Sequence, residues 1–186
     1  MASSWVADVA RRTGIPERAL QGYATADVLI NKQQPGCHLG WPTLAGLGFA
    51  ESVHGHFAGR TLRADGRPSS PIIGIPLDGS EGVRAIRDTD HGHLDGDPIW
   101  DRAVGPLQFI PSTWAKWGTD ANGDGIADPQ QIDDAALTAA RLLCDTGEDL
   151  SQAASWRRAI LRYNASSTYA DLVLNKANTY AQASRP

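Results

Sequence analysis

The chain has 186 residues, a formal net charge of −4, 41% hydrophobic and 20% charged residues. That suits one domain with a real core and excludes wholesale disorder. There is no basic footprint, so neither nucleic acid nor an anionic membrane surface is an expected partner, and no apolar run approaches the roughly 20 residues that span a bilayer.

Met1-Ala-Ser-Ser-Trp5 lacks a basic start followed by an apolar run, so no signal peptide is expected within this chain. A first helix is predicted over residues 3–12, with Trp5, Val6 and Val9 on one side and Thr13-Gly14 ending it. Pro16 suits the first turn of a second helix, whose apolar stripe reads Leu20, Tyr23, Ala24, Val28 and Leu29. Residues 33–36 break it. A third helix is expected from near Pro42 to about Val53, with Gly55 placed for a left-handed end. Trp41, Leu44, Leu47 and Glu51 fall on one face of it, so a core-facing stripe ends in an acid. A carboxylate there is costly to ionise unless paired. It is either a core acid held by an Arg such as Arg102 or a tuned catalytic group. Gly46 and Gly48 each lower the helix propensity by about 1 kcal/mol relative to Ala. Close helix packing offsets that cost in one reading, and room for a ligand beside Glu51 in the other.

Residues 58–100 change character to Gly, Pro and Asp and read as an irregular insert. Only Pro71–Leu77 is strand-like, which predicts a small hairpin. Asp88, Asp90, Asp95 and Asp97 stand there among glycines; a cation site is one reading, turn-forming Asx residues on a wet loop the preferred one. Apolar and aromatic character returns over residues 100–118, where Pro111-Ser112-Thr113 opens a helix and Gln108 sits among apolar neighbours. Three further helices are predicted: about 133–144, 151–163 and 168–183. In the last, Leu172, Val173, Ala177 and Tyr180 are expected to face inward. The fold class is therefore mainly α with a small β hairpin, in one domain over residues 1–186.

Two patterns carry chemistry. Asp120, Asn122 and Asp124 alternate, Gly125 occupies the sixth place and the Ile126 carbonyl the seventh, as in the first half of an EF-hand calcium loop. Gln131 stands where the twelfth-position Glu is usual, so Asp133 or Asp134 would have to close a lengthened loop. The other pattern is Glu51 itself. Glycoside hydrolysis usually needs two carboxylates, and no second acid lies on a comparably apolar helix. Either the 88–101 loop supplies one, or Glu51 works alone as acid and then base. The two cysteines, Cys37 and Cys144, form no CxxC pair, and their spacing leaves a bridge and two buried thiols equally open.

Gly48-Phe-Ala-Glu51-Ser52-Val-His-Gly55, then Ala103-Val-Gly105-Pro-Leu-Gln108-Phe109-Ile-Pro111-Ser112-Thr-Trp114, then Arg162-Tyr163-Asn164 together resemble the lytic murein transglycosylase B family, in its secreted actinobacterial branch. The resemblance runs over about residues 35–180. It implies a lysozyme-like α+β goblet with a glycan-binding groove, and peptidoglycan strands as the partner. Glu51 would cleave the bond between N-acetylmuramic acid and N-acetylglucosamine and close a 1,6-anhydro ring without water. Ser52, Gln108, Tyr163, Asn164 and Tyr169 would serve the substrate, with Ser52 holding local geometry. The calcium loop would use Asp120, Asn122, Asp124, Ile126 and Asp134. A Cys37–Cys144 disulfide, a monomer and an extracytoplasmic site of action are further implications. The alternatives are a hydrolytic muramidase and a catalytically silent glycan-binding module.

Overall fold

The computed structural model describes residues 3–80 and 82–185. The helices are α1 (Ser3–Thr13), α2 (Glu17–Gln33), α3 (Trp41–Ser52), α4 (Pro111–Trp117), α5 (Ile132–Cys144), α6 (Ala153–Tyr163) and α7 (Ser167–Ala183). A short antiparallel sheet pairs β1 (Ile73–Pro76) with β2 (Arg102–Val104). The predicted end residues 1 and 186 lie outside the described chain.

α3 is the centre of the molecule. It lies against α7 and α2, and α2 lies in turn against α5. Thr43, Leu44, Ala45, Gly46, Leu47, Gly48 and Ser52 are all buried, so α3 has no polar face. The stripe read from periodicity is therefore part of a helix enclosed nearly all round. Both glycines are packing devices. A Cβ on Gly46 would lie 2.8 Å from the Val173 carbonyl oxygen on α7, and one on Gly48 would lie 1.9 Å from the Tyr23 hydroxyl on α2. Gly48→Ala should therefore destabilise the fold by about 1–3 kcal/mol, the usual cost of overpacking. An unchanged denaturant midpoint would count against this packing account.

Two inward assignments need correction. Val28 is 57% exposed and Leu172 39% exposed. α2 turns Ala19, Leu20, Tyr23, Ala26 and Ile30 inward, and α7 turns Ala170, Val173, Ala177 and Tyr180 inward. One residue of helix is about 100° of rotation, so Leu172 beside Val173 falls on the flank.

The end of α3 also differs from expectation. Left-handed backbone begins at Val53 (φ 51°) and continues through His54 (φ 60°) before Gly55 (φ 84°). Such a conformation costs about 1–3 kcal/mol at a non-glycine residue. Buried hydrogen bonds hold it. His54 is 3% exposed, and its ring nitrogens meet the hydroxyls of Tyr23 at 3.2 Å and Tyr180 at 3.0 Å. Burial pushes the His54 pKa down to about 3, so the ring is neutral and shares one donor and one acceptor between the two tyrosines.

The insert is organised around the sheet. β1 pairs across the whole 77–101 segment with β2, and isolated bridges join Asp78 to Ala85 and Arg87 to Trp100. Cys37, after α2, is bonded to Cys144 at the end of α5, with Cα atoms 5.6 Å apart.

Candidate active site

A cleft of about 400 Å³ opens between the helices and the sheet. Glu51, Leu77, Ala103, Gln108, Phe109, Trp117, Tyr163 and Asn164 are among its lining residues. Three of the residues singled out for the substrate, Gln108, Tyr163 and Asn164, thus share one cleft with Glu51. Among the described lining residues Glu51 is the sole carboxylate; the basic ones are Lys116 and Arg162. Arg162 pairs with Asp145 at 3.1 Å.

Glu51 sits on the last turn of α3. Its Oε1 accepts a hydrogen bond of 2.5 Å from the Tyr169 hydroxyl, carried by the first turn of α7. Burial raises the Glu51 pKa from 4.5 to about 7, and the Tyr169 hydrogen bond acts against that rise. Arg102 does not pair with it. That guanidinium holds Asp97 at 2.9 Å, so the reading of Glu51 as an Arg102-paired core acid falls. The consequence is a carboxyl group able to hold or release a proton near neutrality. Tyr169 is not among the lining residues and reaches Glu51 from α7. Because its hydrogen bond favours the ionised form, Tyr169→Phe should move the basic limb of any Glu51-dependent pH profile upward. An unmoved limb would show that burial alone sets the proton affinity.

The opposite wall is a tight turn over Gly105–Phe109. Gly105 has φ 79°, and a Cβ there would lie 1.8 Å from the Pro129 carbonyl oxygen, so only glycine fits. Ser52 donates to the Pro106 carbonyl at 2.6 Å and accepts from Gly55 N–H at 2.7 Å. Tyr163 donates to the Leu107 carbonyl at 2.7 Å. Consecutive carbonyls of the turn are thus held by α3 and α6. Gln108, itself at φ 49°, donates its amide N–H groups to Gly105 at 2.9 Å and Ala103 at 3.4 Å. Ser52 is 1% exposed and does not line the cleft, so its place is the joint between α3 and the turn. Asn164 caps α6, and its side-chain oxygen accepts from Ser166 N–H at 3.1 Å. Sequence reading missed Lys116 and Trp117. The available signal was their position on the short helix opened by Pro111-Ser112, two and three residues past Trp114.

The 120–134 loop folds on its own carboxylates. Asp120 accepts from Gly123 and Gly125 N–H, and Asp124 accepts from Ile126 N–H. Asp134 is 0% exposed and accepts from Ala121, Asn122 and Asp128 N–H. Burial raises its pKa, and the charge of Asp120 adds to the rise. Asp133 turns away to Arg18, and Gln131 caps α5. The oxygen set of Asp120, Asn122, Asp124, Ile126 and Asp134 has the hard-donor chemistry that suits calcium.

The acids of the 88–101 segment do not line the cleft. No helix among the described residues is long and apolar enough to cross a membrane.

Comparison with known proteins follows the same outline. Residues 83–157, less than half of the chain, match the family model described as "Transglycosylase SLT domain". That stretch includes Gln108 and the 120–134 loop but not Glu51, Tyr163, Asn164 or Tyr169. No curated protein matches the chain. Among solved structures it is similar to the Escherichia coli lytic transglycosylase Slt35 in complex with bulgecin A. The TM-score is 0.55 and the identity 15%, over 97% of this chain and 78% of that one. The chain thus has a lysozyme-like fold and carries a transglycosylase-domain signature over residues 83–157.

Proposed function

We propose that this protein is a lytic transglycosylase of the B family's secreted branch, acting as a monomer outside the cytoplasm on peptidoglycan. It cleaves the β-1,4 bond between N-acetylmuramic acid and N-acetylglucosamine. Glu51 first protonates the glycosidic oxygen. The same carboxylate then takes the proton of the muramyl C6 hydroxyl as that oxygen closes on C1, giving the 1,6-anhydro product. The observation that carries the reading is one part-buried carboxyl, with a pKa near 7, as the sole acid among the described residues lining a cleft. An acid that must serve as base in the next step works best with a pKa near the operating pH. A lone carboxylate also suits a reaction whose nucleophile belongs to the substrate. Gln108, Tyr163 and Asn164 offer neutral polar groups to the sugar and to the cationic transition state. The transglycosylase-domain signature and the fold support the same class, and the disulfide fits an oxidising compartment.

Mass spectrometry of purified peptidoglycan after digestion tests the proposal. Anhydro-muramyl ends are expected. Reducing ends would make the protein a hydrolytic muramidase, and no cleavage at all would leave a glycan-binding module.

The 120–134 loop is proposed to bind structural Ca²⁺. Its support is the buried Asp134, which meets only backbone donors and lies near Asp120. At a Ca²⁺ concentration 100 times Kd, binding should add about 2.7 kcal/mol of stability. A melting temperature unmoved by chelator and Ca²⁺ would sink that idea.

A further inference from the structure

The segment between β1 and β2 contains acids that the cleft does not use. Two of them behave as turn formers. Asp95 accepts from Asp97 and Arg102 N–H, and Asp97 accepts from Ile99 and Trp100 N–H while pairing with Arg102. Asp88 and Asp90 part company with these and join Asp101. One carboxylate oxygen from each of Asp88, Asp90 and Asp101 lies within 4.8 Å of the others.

Cluster geometry alone would be compatible with solvated acids, but burial argues otherwise. Asp101 is 0% exposed, and its carboxylate accepts only from the N–H and hydroxyl of Thr89. Asp90 Oδ2 accepts from Leu94 N–H at 2.8 Å, whereas Asp90 Oδ1 is itself buried and has no hydrogen-bond partner. Among the described residues no basic side chain pairs with Asp90 or Asp101. Asp88 accepts from Asp90 and Gly92 N–H and otherwise meets the exposed ring of His91 at 4.0 Å. A buried carboxylate oxygen without a donor, beside two further carboxylates, carries a desolvation penalty and like-charge repulsion together. A cation removes both.

We propose that Asp88, Asp90 and Asp101 form a second site for a calcium-class divalent cation, distinct from the 120–134 loop, with Asp90 Oδ1 as the ligand that no protein group satisfies. Ca²⁺–oxygen bonds of about 2.3–2.6 Å let three ligands share one ion at mutual distances up to about 4.5 Å, so a cluster within 4.8 Å closes on one ion with shifts of at most a few tenths of an ångström. Mg²⁺, with bonds of about 2.1 Å, requires a span under about 4.2 Å and a near-ideal octahedron. The ion acts as a clip. Asp101 donates its N–H to Ile86 at 3.1 Å, and its carbonyl accepts from Leu77 N–H at 3.0 Å. Leu77 and Ala103, on either side of that tie, line the cleft. Binding therefore fastens the segment to the cleft wall.

Hydrogen exchange of the full chain, in chelator and then in Ca²⁺ at 100 times Kd, tests this without reference to activity. Opening of residues 86–102 should slow about 100-fold with Ca²⁺. The slowing should vanish in Asp90→Asn and persist in Asp124→Asn, which impairs the other loop. Absence of Ca²⁺-dependent slowing at 86–102 in the wild type overturns the proposal whatever the variants do, and covers the case in which Asp90→Asn does not fold. Equal slowing in Asp90→Asn also overturns it. So does a higher melting temperature of Asp90→Asn with no calcium response, which assigns Oδ1 to a buried water or a proton.

Discussion

Glu51→Gln is expected to lower glycan cleavage by roughly 10²–10⁴-fold, the usual contribution of a positioned general acid or base. The amide keeps the shape of the side chain and can still accept from Tyr169, so the fold should survive. A variant that cleaves at the wild-type rate would remove Glu51 from the mechanism. The pH dependence follows from the same group. In the proposed first step the carboxyl must be protonated, so kcat/KM should fall above pH about 7, where burial has placed its pKa.

Stability should fall with rising pH as well, over a lower window. Between the unfolded value of 4.5 and the folded value of about 7, the native state holds the Glu51 proton and the unfolded state has released it. Stability from this group is full below the lower value and falls as pH rises to the upper one, by on the order of 1–3 kcal/mol. Glu51→Gln lacks that proton and should lack the decline. Above pH 7 the inactive variant should therefore melt higher than the wild type. Parallel melting curves against pH for the two proteins would show that Glu51 ionises without strain.

Replacing both Cys37 and Cys144 with Ser is the change with the largest expected effect on stability. The two residues lie 107 positions apart, and a cross-link closing a loop of about 100 residues restricts the unfolded chain by about 4.7 kcal/mol in the chain-entropy account. Typical measured losses are about 2–5 kcal/mol, which for a chain of this size is on the order of 10 °C in melting temperature. Both residues are buried, at 3% and 1% exposure, and the Cys37 carbonyl accepts from Leu150 N–H at 2.8 Å. The bridge therefore ties the entry to α3 and the exit from α5 to the segment leading into α6. Reduction should loosen the scaffold beneath Glu51 before it touches the cleft itself. An unchanged denaturant midpoint for the double variant would show that helix packing alone sets stability.

The helices were legible because their causes are local. Apolar spacing marks α2, α5 and α7, Pro111 opens α4, and the Asp120–Gly125 pattern marks a turn that closes on its own side chains. What failed was rotation. Val28 and Leu172 are apolar and adjacent to the buried stripe, and nothing local says which flank the neighbouring helix covers. The insert was legible as irregular, but its parts were not. Four acids of one composition divided into turn formers, Asp95 and Asp97, and cluster members, Asp88 and Asp90, according to which long-range neighbour each met.

By itself the sequence determined that Glu51 ends a core-facing helical stripe, since its spacing from Trp41, Leu44 and Leu47 puts all four on one face. The Gly105–Phe109 turn was not legible in this way, because what requires glycine at 105 is the Pro129 carbonyl, which is distant in sequence. Only the tertiary structure decided what those features mean together. Ser52 and Tyr163 bring α3 and α6 to adjacent carbonyls of that turn, and Tyr169 arrives from α7 to meet Glu51. These contacts span 54 to 118 residues of chain. Proton affinity depends on the surroundings so assembled, and no local pattern encodes them.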